Sequence, residues 1–200
     1  MIKSTIHKIV SNPRIYDAVQ ALVGARAIEK RLGIQIEKLS KSQSIIDIGG
    51  GTGLLKSIFV DGSLYVCLDI DPVKLDGYIA KDPNGVAVLA DATIAPLQSG
   101  SVDLVVCKCL SHHIPAECID ALFRESYRIL KPEGTFVFLD ALKNTKRFRS
   151  NFMWRYDRGS YPRTIDEVRA LIEKNGRVLH WEEFAFLHQY VLCLARRKEA

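Results

Sequence analysis

Asp47-Ile48-Gly49-Gly50-Gly51-Thr52-Gly53 joins one carboxylate to an alternating set of glycines, and that spacing is suited to gripping a ligand by its main chain. Glycines at 49, 51 and 53 permit positive φ and let a ligand approach the backbone without meeting a Cβ. A helix opening near Thr52 adds unpaired N–H groups and a positive dipole end. The stretch therefore reads as a seat for a nucleotide-like ligand at the carboxyl end of a strand. The dinucleotide fingerprint needs its third glycine at position 54 or 56, where Leu54 and Lys56 stand, and no Gly-Lys-Ser/Thr ending of a phosphate loop occurs. A carboxylate ahead of the glycines suits a ligand bearing an ammonium group and repels a pyrophosphate.

Further chemistry-bearing residues come later in the chain. Asp69 lies 16 residues after Gly53, close to the spacing at which an acid after the second strand meets both ribose hydroxyls. Asp71 reads instead as the cap of a helix beginning at Pro72. In Ser111-His112-His113-Ile114-Pro115, either imidazole could remove a proton from an acceptor hydroxyl or amine, or orient the acceptor. One of the two is expected to pack inward or to bond a carbonyl. Cys107, Cys109, His112, His113 and Cys118 match none of the zinc spacings, so no metal site is expected. Between Lys143 and Arg163, seven cations face only Asp157 and are interleaved with Phe148, Phe152, Trp154, Tyr156 and Tyr161. Such a region could hold a flat or apolar acceptor carrying a carboxylate or phosphate. RNA is the rival partner, and a solvated helix face over a buried aromatic edge is the purely structural alternative.

Elements of fixed length must position these groups. Apolar, β-branched runs at 44–48, 64–68, 86–90, 104–107 and 135–139 read as strands, and Arg177–Phe184 with His188–Arg196 as a terminal hairpin. Asn12-Pro13 opens an amphipathic helix to about Arg31, with a shorter helical segment from Ile34 to Leu39. Tyr16, or Val23 to Ala25, could form part of a lid over the ligand. Other helices are expected from Pro72 to about Ala80, from Pro115 to Leu130, and from a Thr164/Glu167 capping box to Asn175-Gly176. Strands alternating with helices make an α/β chain with a largely parallel sheet.

Two hundred residues with 48% apolar content fit one domain. No apolar run reaches the ~18 residues of a membrane span and no secretory signal is evident, so a cytoplasmic protein is expected. Five cysteines form an odd set and read as buried free thiols. The net charge of +5 is local: residues 143–200 hold 13 Lys and Arg against 7 Asp and Glu.

The acid-glycine turn, Asp69, the run Leu97 to Val106, and Arg128-Ile129-Leu130-Lys131-Pro132-Glu133-Gly134 together resemble the class I S-adenosylmethionine-dependent methyltransferases, of the small-molecule, type 11-like kind. Val102 and Glu133 depart from that pattern, which has an aromatic residue and a glycine there. The resemblance implies a Rossmann-like doubly wound sheet of seven strands, mostly parallel with an antiparallel terminal strand and helices on both faces. It implies one domain: an N-terminal helical lid (1–43), a cofactor core (44–142), an acceptor-side insertion (143–163) and a terminal helix and hairpin (164–200). It also implies S-adenosyl-L-methionine as cofactor, leaving as S-adenosyl-L-homocysteine. Asp47, Gly49, Gly51, Gly53, Asp69, Ile70, Asp91, Ala92 and main chain near Cys107 and Lys108 would hold it, with Asp91 on the adenine amino group. His112 and His113 stand on the acceptor side, and the acceptor is expected to be a small molecule, anionic or aromatic. The alternatives are an RNA methyltransferase and a non-catalytic nucleotide-binding module. The Asn/Asp-Pro-Pro-Tyr signature of amino-methylating nucleic-acid enzymes is missing, since Cys107-Lys108-Cys109-Leu110 stands in its place.

Overall fold

The computed structural model describes residues 25–37, 39, 44–59, 61–144, 146, 150, 154 and 161–198. The apolar runs form β1 (Ser44–Ile48), β2 (Leu64–Asp69), β3 (Val86–Leu89), β4 (Val102–Lys108), β5 (Leu130–Leu142), β6 (Gly176–Ala185) and β7 (Gln189–Arg197). They join in one sheet of order β3-β2-β1-β4-β5-β7-β6. The pairings from β3 across to β5 are parallel, and β7 runs antiparallel to both β5 and β6. Strand order reverses between β1 and β4, which opens a crevice at their carboxyl ends.

Both faces of the sheet are covered because its strands carry apolar side chains to both sides. In β4, Val105 and Cys107 enter one core while Leu104 and Val106 enter the other, as the two-residue strand period requires. The first core is closed by α3 (Ile119–Ile129) and α4 (Ile165–Asn175), through Leu122, Phe123, Val168 and Ile172. The second is closed by α1 (Ala25–Glu37) and α2 (Pro72–Lys81), through Ile28, Leu32, Leu75 and Tyr78. Each such side chain contributes about 1.5–3 kcal/mol by leaving water. The expected doubly wound α/β architecture is thus present.

Several boundaries differ, each for a physical reason. The helix expected to stop near Arg31 and the separate segment from Ile34 are one helix through Gly33. Ile28, Leu32 and Ile36 are all buried four residues apart, and that packing outweighs the roughly 1 kcal/mol cost of a helical glycine. Of the expected lid, Tyr16, Val23 and Gly24 lie outside the described residues. The helix expected from Pro115 begins only at Ile119, after a turn closed by Cys118 N–H on Pro115 O. Strand β5 runs on to Leu142, so Asp140 lies inside it rather than at its end. The capping box of α4 forms as expected, with Thr164 and Glu167 bonded reciprocally. Gly176 ends α4 in an extended conformation, φ −141°, and starts β6 directly. At the lower edge of the sheet, Asp103 accepts from Ser44 N–H, Ser44 Oγ and Lys131 Nζ, tying β1, β4 and the start of β5 together.

Candidate functional site

The glycine turn has the geometry its sequence demands. Gly49, Gly51 and Gly53 adopt φ of 72°, 58° and 70°, and an added Cβ at Gly53 would lie 2.2 Å from the Tyr78 ring. The turn is pulled onto β2 because Gly49 and Gly50 both donate to Leu68 O, at 2.7 and 3.0 Å. The next segment is not an α-helix: Leu54–Ile58 is a single 3₁₀ segment with Gly53 as its cap. The dipole expected there is correspondingly small, so the seat rests on glycine geometry and carboxylates.

Four carboxylates stand at or just beyond the carboxyl ends of β1, β2 and β3. Asp47 is buried and accepts a 2.6 Å hydrogen bond from the Tyr65 hydroxyl. Burial pushes its carboxyl up to about 6, against the pull of that hydroxyl and of Lys108, with Asp69 adding to the rise. Asp69 binds the turn to the chain after β2, its Oδ2 accepting from Gly51 N–H and its Oδ1 from Asp71 N–H, each at 2.9 Å. Two lone pairs of this carboxylate remain for other donors. Ile70 beside it is 69% exposed. Asp71 caps α2 through Val73 N–H, as its position ahead of Pro72 predicts. Asp91 lies at the end of β3, where its Oδ1 accepts from both Thr93 N–H and Thr93 Oγ, and Ala92 is buried behind it.

The crevice itself is lined by Asp47, Gly49, Gly50, Leu54, Lys108 and Cys109. Its enclosed part is about 40 Å³. Cys107 is held within the sheet between Ile48 and Phe138, with its thiol buried and pushed upward by that burial. The residues that face the crevice are the next two. Cys109 takes a positive φ of 51°, and Lys108 Nζ lies 2.6 Å from Glu29 of α1.

The paired histidines separate into one buried and one exposed ring, 4.3 Å apart. His112 turns inward, and its partner is a carboxylate rather than a carbonyl: Nδ1 lies 2.6 Å from Asp140 Oδ1. Asp140 has 0% exposure, and its Oδ2 also accepts from Ser111 N–H and Ser111 Oγ. Burial alone would raise this carboxyl, but the His112 charge and hydrogen bond, with those from Ser111, hold it below the usual carboxylate range. With Nδ1–H committed to Asp140, neutral His112 carries its basic lone pair on Nε2.

Arg163, counted in the sequence among the cations of a basic patch, is buried beneath this loop. It donates to the carbonyls of Ser111 and, at 2.7 Å, Ile114, while Tyr161 N–H donates to His112 O at 3.0 Å. Trp154 and His188 complete the surroundings, with ring centroids 5.5 Å from His112 to Trp154 and 4.5 Å from Trp154 to His188. Trp154 Nε1 is buried and has no hydrogen-bond partner among the described residues. No local pattern in the chain marks His188, which enters the site only through pairing of β7 with β5. Arg147, Phe148, Arg149, Phe152, Arg155, Tyr156 and Arg158 of the basic and aromatic stretch lie outside the described residues.

The glycine turn, Asp69 and the reversal point between β1 and β4 all fall within residues 46–138, the span that matches the family described as "Methyltransferase domain". The chain thus carries a methyltransferase domain over just under half of its length, on the fold of the class I S-adenosylmethionine-dependent methyltransferases. This methyltransferase is 25% identical over 190 residues to malonyl-[acyl-carrier protein] O-methyltransferase of Geobacter sulfurreducens, covering 88% of this chain and 69% of that one. It is 30% identical over 96 residues to an uncharacterized methyltransferase of Mycobacterium sp., spanning 48% of its own length but 37% of that relative's. In fold, the methyltransferase resembles magnesium protoporphyrin IX methyltransferase from Synechocystis with bound S-adenosylhomocysteine, at 15% identity, a TM-score of 0.75 and coverage of 98% and 100%.

Proposed function

We propose that the protein moves the methyl group of S-adenosyl-L-methionine to a small-molecule acceptor seated between the crevice and His112. The observation that carries the cofactor half is Asp69, a buried carboxylate fixed by Gly51 N–H with lone pairs remaining for the ribose hydroxyls. The residues present suit an adenosyl amino acid: Asp47 faces its ammonium, Asp69 its ribose, Ile70 and Ala92 its base, and Asp91 Oδ2 the adenine amino group. Gly49, Gly51 and Gly53 supply bare main chain. Main chain near Cys107 and Lys108, with Cys109 beside it, supplies the β4 contribution. When bound, the cofactor supplies an activated methyl on a sulfonium, so the chain's own task is alignment and exclusion of water.

On the acceptor side, His112 is oriented by Asp140 so that Nε2 can take the proton released as the acceptor's nucleophilic atom becomes bonded to the methyl carbon. His113, exposed beside it, stands at the mouth of the acceptor site. Trp154 Nε1, buried with no hydrogen-bond partner among the described residues, favours an acceptor that presents an oxygen. Residues of 1–43 would form a cover over the cofactor.

Labelled S-adenosyl-L-methionine incubated with fractionated cell extract tests the whole reading. Label is expected in the small-molecule fraction; label retained by RNA, or cofactor binding with no transfer into any fraction, would replace it with one of the rival readings.

Asp47 adds a dependence on pH. Its carboxyl sits near 6 in the ligand-free protein, above its ordinary 3.8, so protonation below 6 removes the charge facing the ammonium. Cofactor affinity is therefore expected to fall as pH drops from 7 to 5, with a limiting slope of about tenfold per unit. The ligand-free fold responds in the opposite sense, because a carboxyl with a raised folded value loses its stabilising contribution as pH rises from about 3.8 to about 6. Calorimetric titrations at several pH values on wild type and Asp47→Asn check this; a variant with the same slope as wild type contradicts the assignment.

A further inference from the structure

Beneath the opposite end of the sheet, away from the glycine turn, lies a second cleft of about 380 Å³ that methyl transfer does not use. It is bounded by Arg124, Tyr127 and Arg128 of α3, Asn175 at the end of α4, and Arg197 and Lys198 at the end of β7. Its one acidic wall residue, Glu125, is consumed: Arg128 donates to both of its oxygens at 2.8 Å, and the pair cancels in charge. Arg124, Arg197 and Lys198 have no carboxylate within ion-pair distance among the described residues. The carboxyl ends of α3 and α4 oppose them with roughly half a negative charge each. Among the described residues, three full cations against about one unit of helix-end charge leave the cleft net positive.

A second observation points the same way. Tyr127, which lines the cleft, is only 3% exposed, yet its hydroxyl has no hydrogen-bond partner among the described residues. Burial pushes its ionisation upward, so the hydroxyl is a neutral donor with nothing to donate to. The hydroxyl lies against Gly176, where a Cβ would come within 2.4 Å, so any side chain at 176 would press on it. Buried polar groups are almost always satisfied, and one left orphaned beside a cationic cleft marks the position of a missing acceptor.

We propose that this cleft binds a small phosphate-bearing anion, held by the Tyr127 hydroxyl and by the guanidinium groups of Arg124 and Arg197. A phosphoryl group matches the charge of three cations better than a single carboxylate and accepts the forked donors of arginine. The volume exceeds one phosphate, which leaves room for a second phosphoryl group or a small organic portion.

Inorganic phosphate, inorganic pyrophosphate and ribose 5-phosphate, titrated calorimetrically into the full chain at about 0.15 M ionic strength, are the probes. At least one is expected to bind one-to-one. Tighter ribose 5-phosphate binding identifies an organic phosphate, and tighter pyrophosphate binding an inorganic one. Tyr127→Phe should weaken that probe about fivefold or more and Arg197→Gln about tenfold, with S-adenosylhomocysteine affinity unchanged in both. In the ligand-free state Tyr127→Phe should raise Tm by about 2–4 °C, because an unsatisfied hydroxyl is removed. The proposal is overturned by absence of binding for all three probes up to about 10 mM. It is equally overturned by binding that ignores Tyr127→Phe, the mark of a merely basic surface, or by a fall in Tm, the mark of a hydroxyl with a structural partner.

Discussion

Asp69→Ala is expected to raise the dissociation constant for S-adenosyl-L-methionine about 100-fold, while turnover at saturating cofactor changes by less than about threefold. Hydrogen bonds to a charged acceptor contribute about 1.5–3 kcal/mol each, so losing two ribose hydroxyls from this carboxylate removes at least the ~2.7 kcal/mol that 100-fold requires. The side chain also holds Gly51 N–H and Asp71 N–H, so its removal loosens the turn as well. Both effects act on binding, because nothing in the position of Asp69 approaches the atoms that exchange the methyl group. Calorimetric titration of cofactor and product, with Tm measured alongside, separates the two. A lowered Tm with nearly unchanged affinity would make Asp69 a structural staple and remove the central support for the cofactor's position. Asp69→Asn, which keeps one acceptor oxygen, is expected to fall between wild type and alanine.

The features legible in the chain are those written within a few residues of one another. Glycine at 49, 51 and 53, the cap at Asp71 ahead of Pro72, and the Thr164/Glu167 box each depend on backbone geometry over one turn, and each is found where its spacing puts it. The doubly wound, mostly parallel sheet is what the family resemblance implies, and its strand order is not encoded in the local periodicities. The features that could not be read depend on pairing across long separations. That His112 meets Asp140 requires β4 and β5 to lie side by side in a register that sets Lys108 opposite Leu139, and no pattern near either residue encodes it. Arg163 reads as a surface cation because its neighbours are cations, whereas its guanidinium fills the orphaned carbonyls of a loop some fifty residues earlier. That Lys108 and Cys109 line the crevice has a simpler cause. Strand β4 is longer than its apolar run, since Lys108 keeps the ladder and sends its amine to Glu29 of α1.

Asp140→Asn is expected to lower kcat by about 10²–10⁴ with little change in cofactor affinity, a larger loss than that of His113→Ala. The carboxylate accepts from four donors, Ser111 N–H, Ser111 Oγ, Ala141 N–H and His112 Nδ1–H, and is wholly buried. An amide has only one acceptor oxygen. If that oxygen stays with Ser111, the amide nitrogen faces His112 and forces Nδ1 to accept, which moves the ring proton to Nε2 and removes the basic lone pair from the acceptor side. If the amide turns over, its N–H groups confront the two Ser111 donors and the loop that carries His112 is pushed out. Either outcome disarms the imidazole without touching the glycine turn. The wild-type pair also fixes an acid limit. Because the folded carboxyl is held below its ordinary 3.8, its contribution to stability is complete above 3.8 and is lost as pH falls through the folded value. The Asn variant, with no group to titrate there, should show a flatter stability profile below pH 3.8 and a lower plateau above it. Single-turnover rates at saturating cofactor, read together with acid unfolding curves, decide the matter. A rate within twofold of wild type, accompanied by the flattened acid profile, would leave Asp140 as a fold-stabilising partner of His112 and assign proton removal to another group or to water.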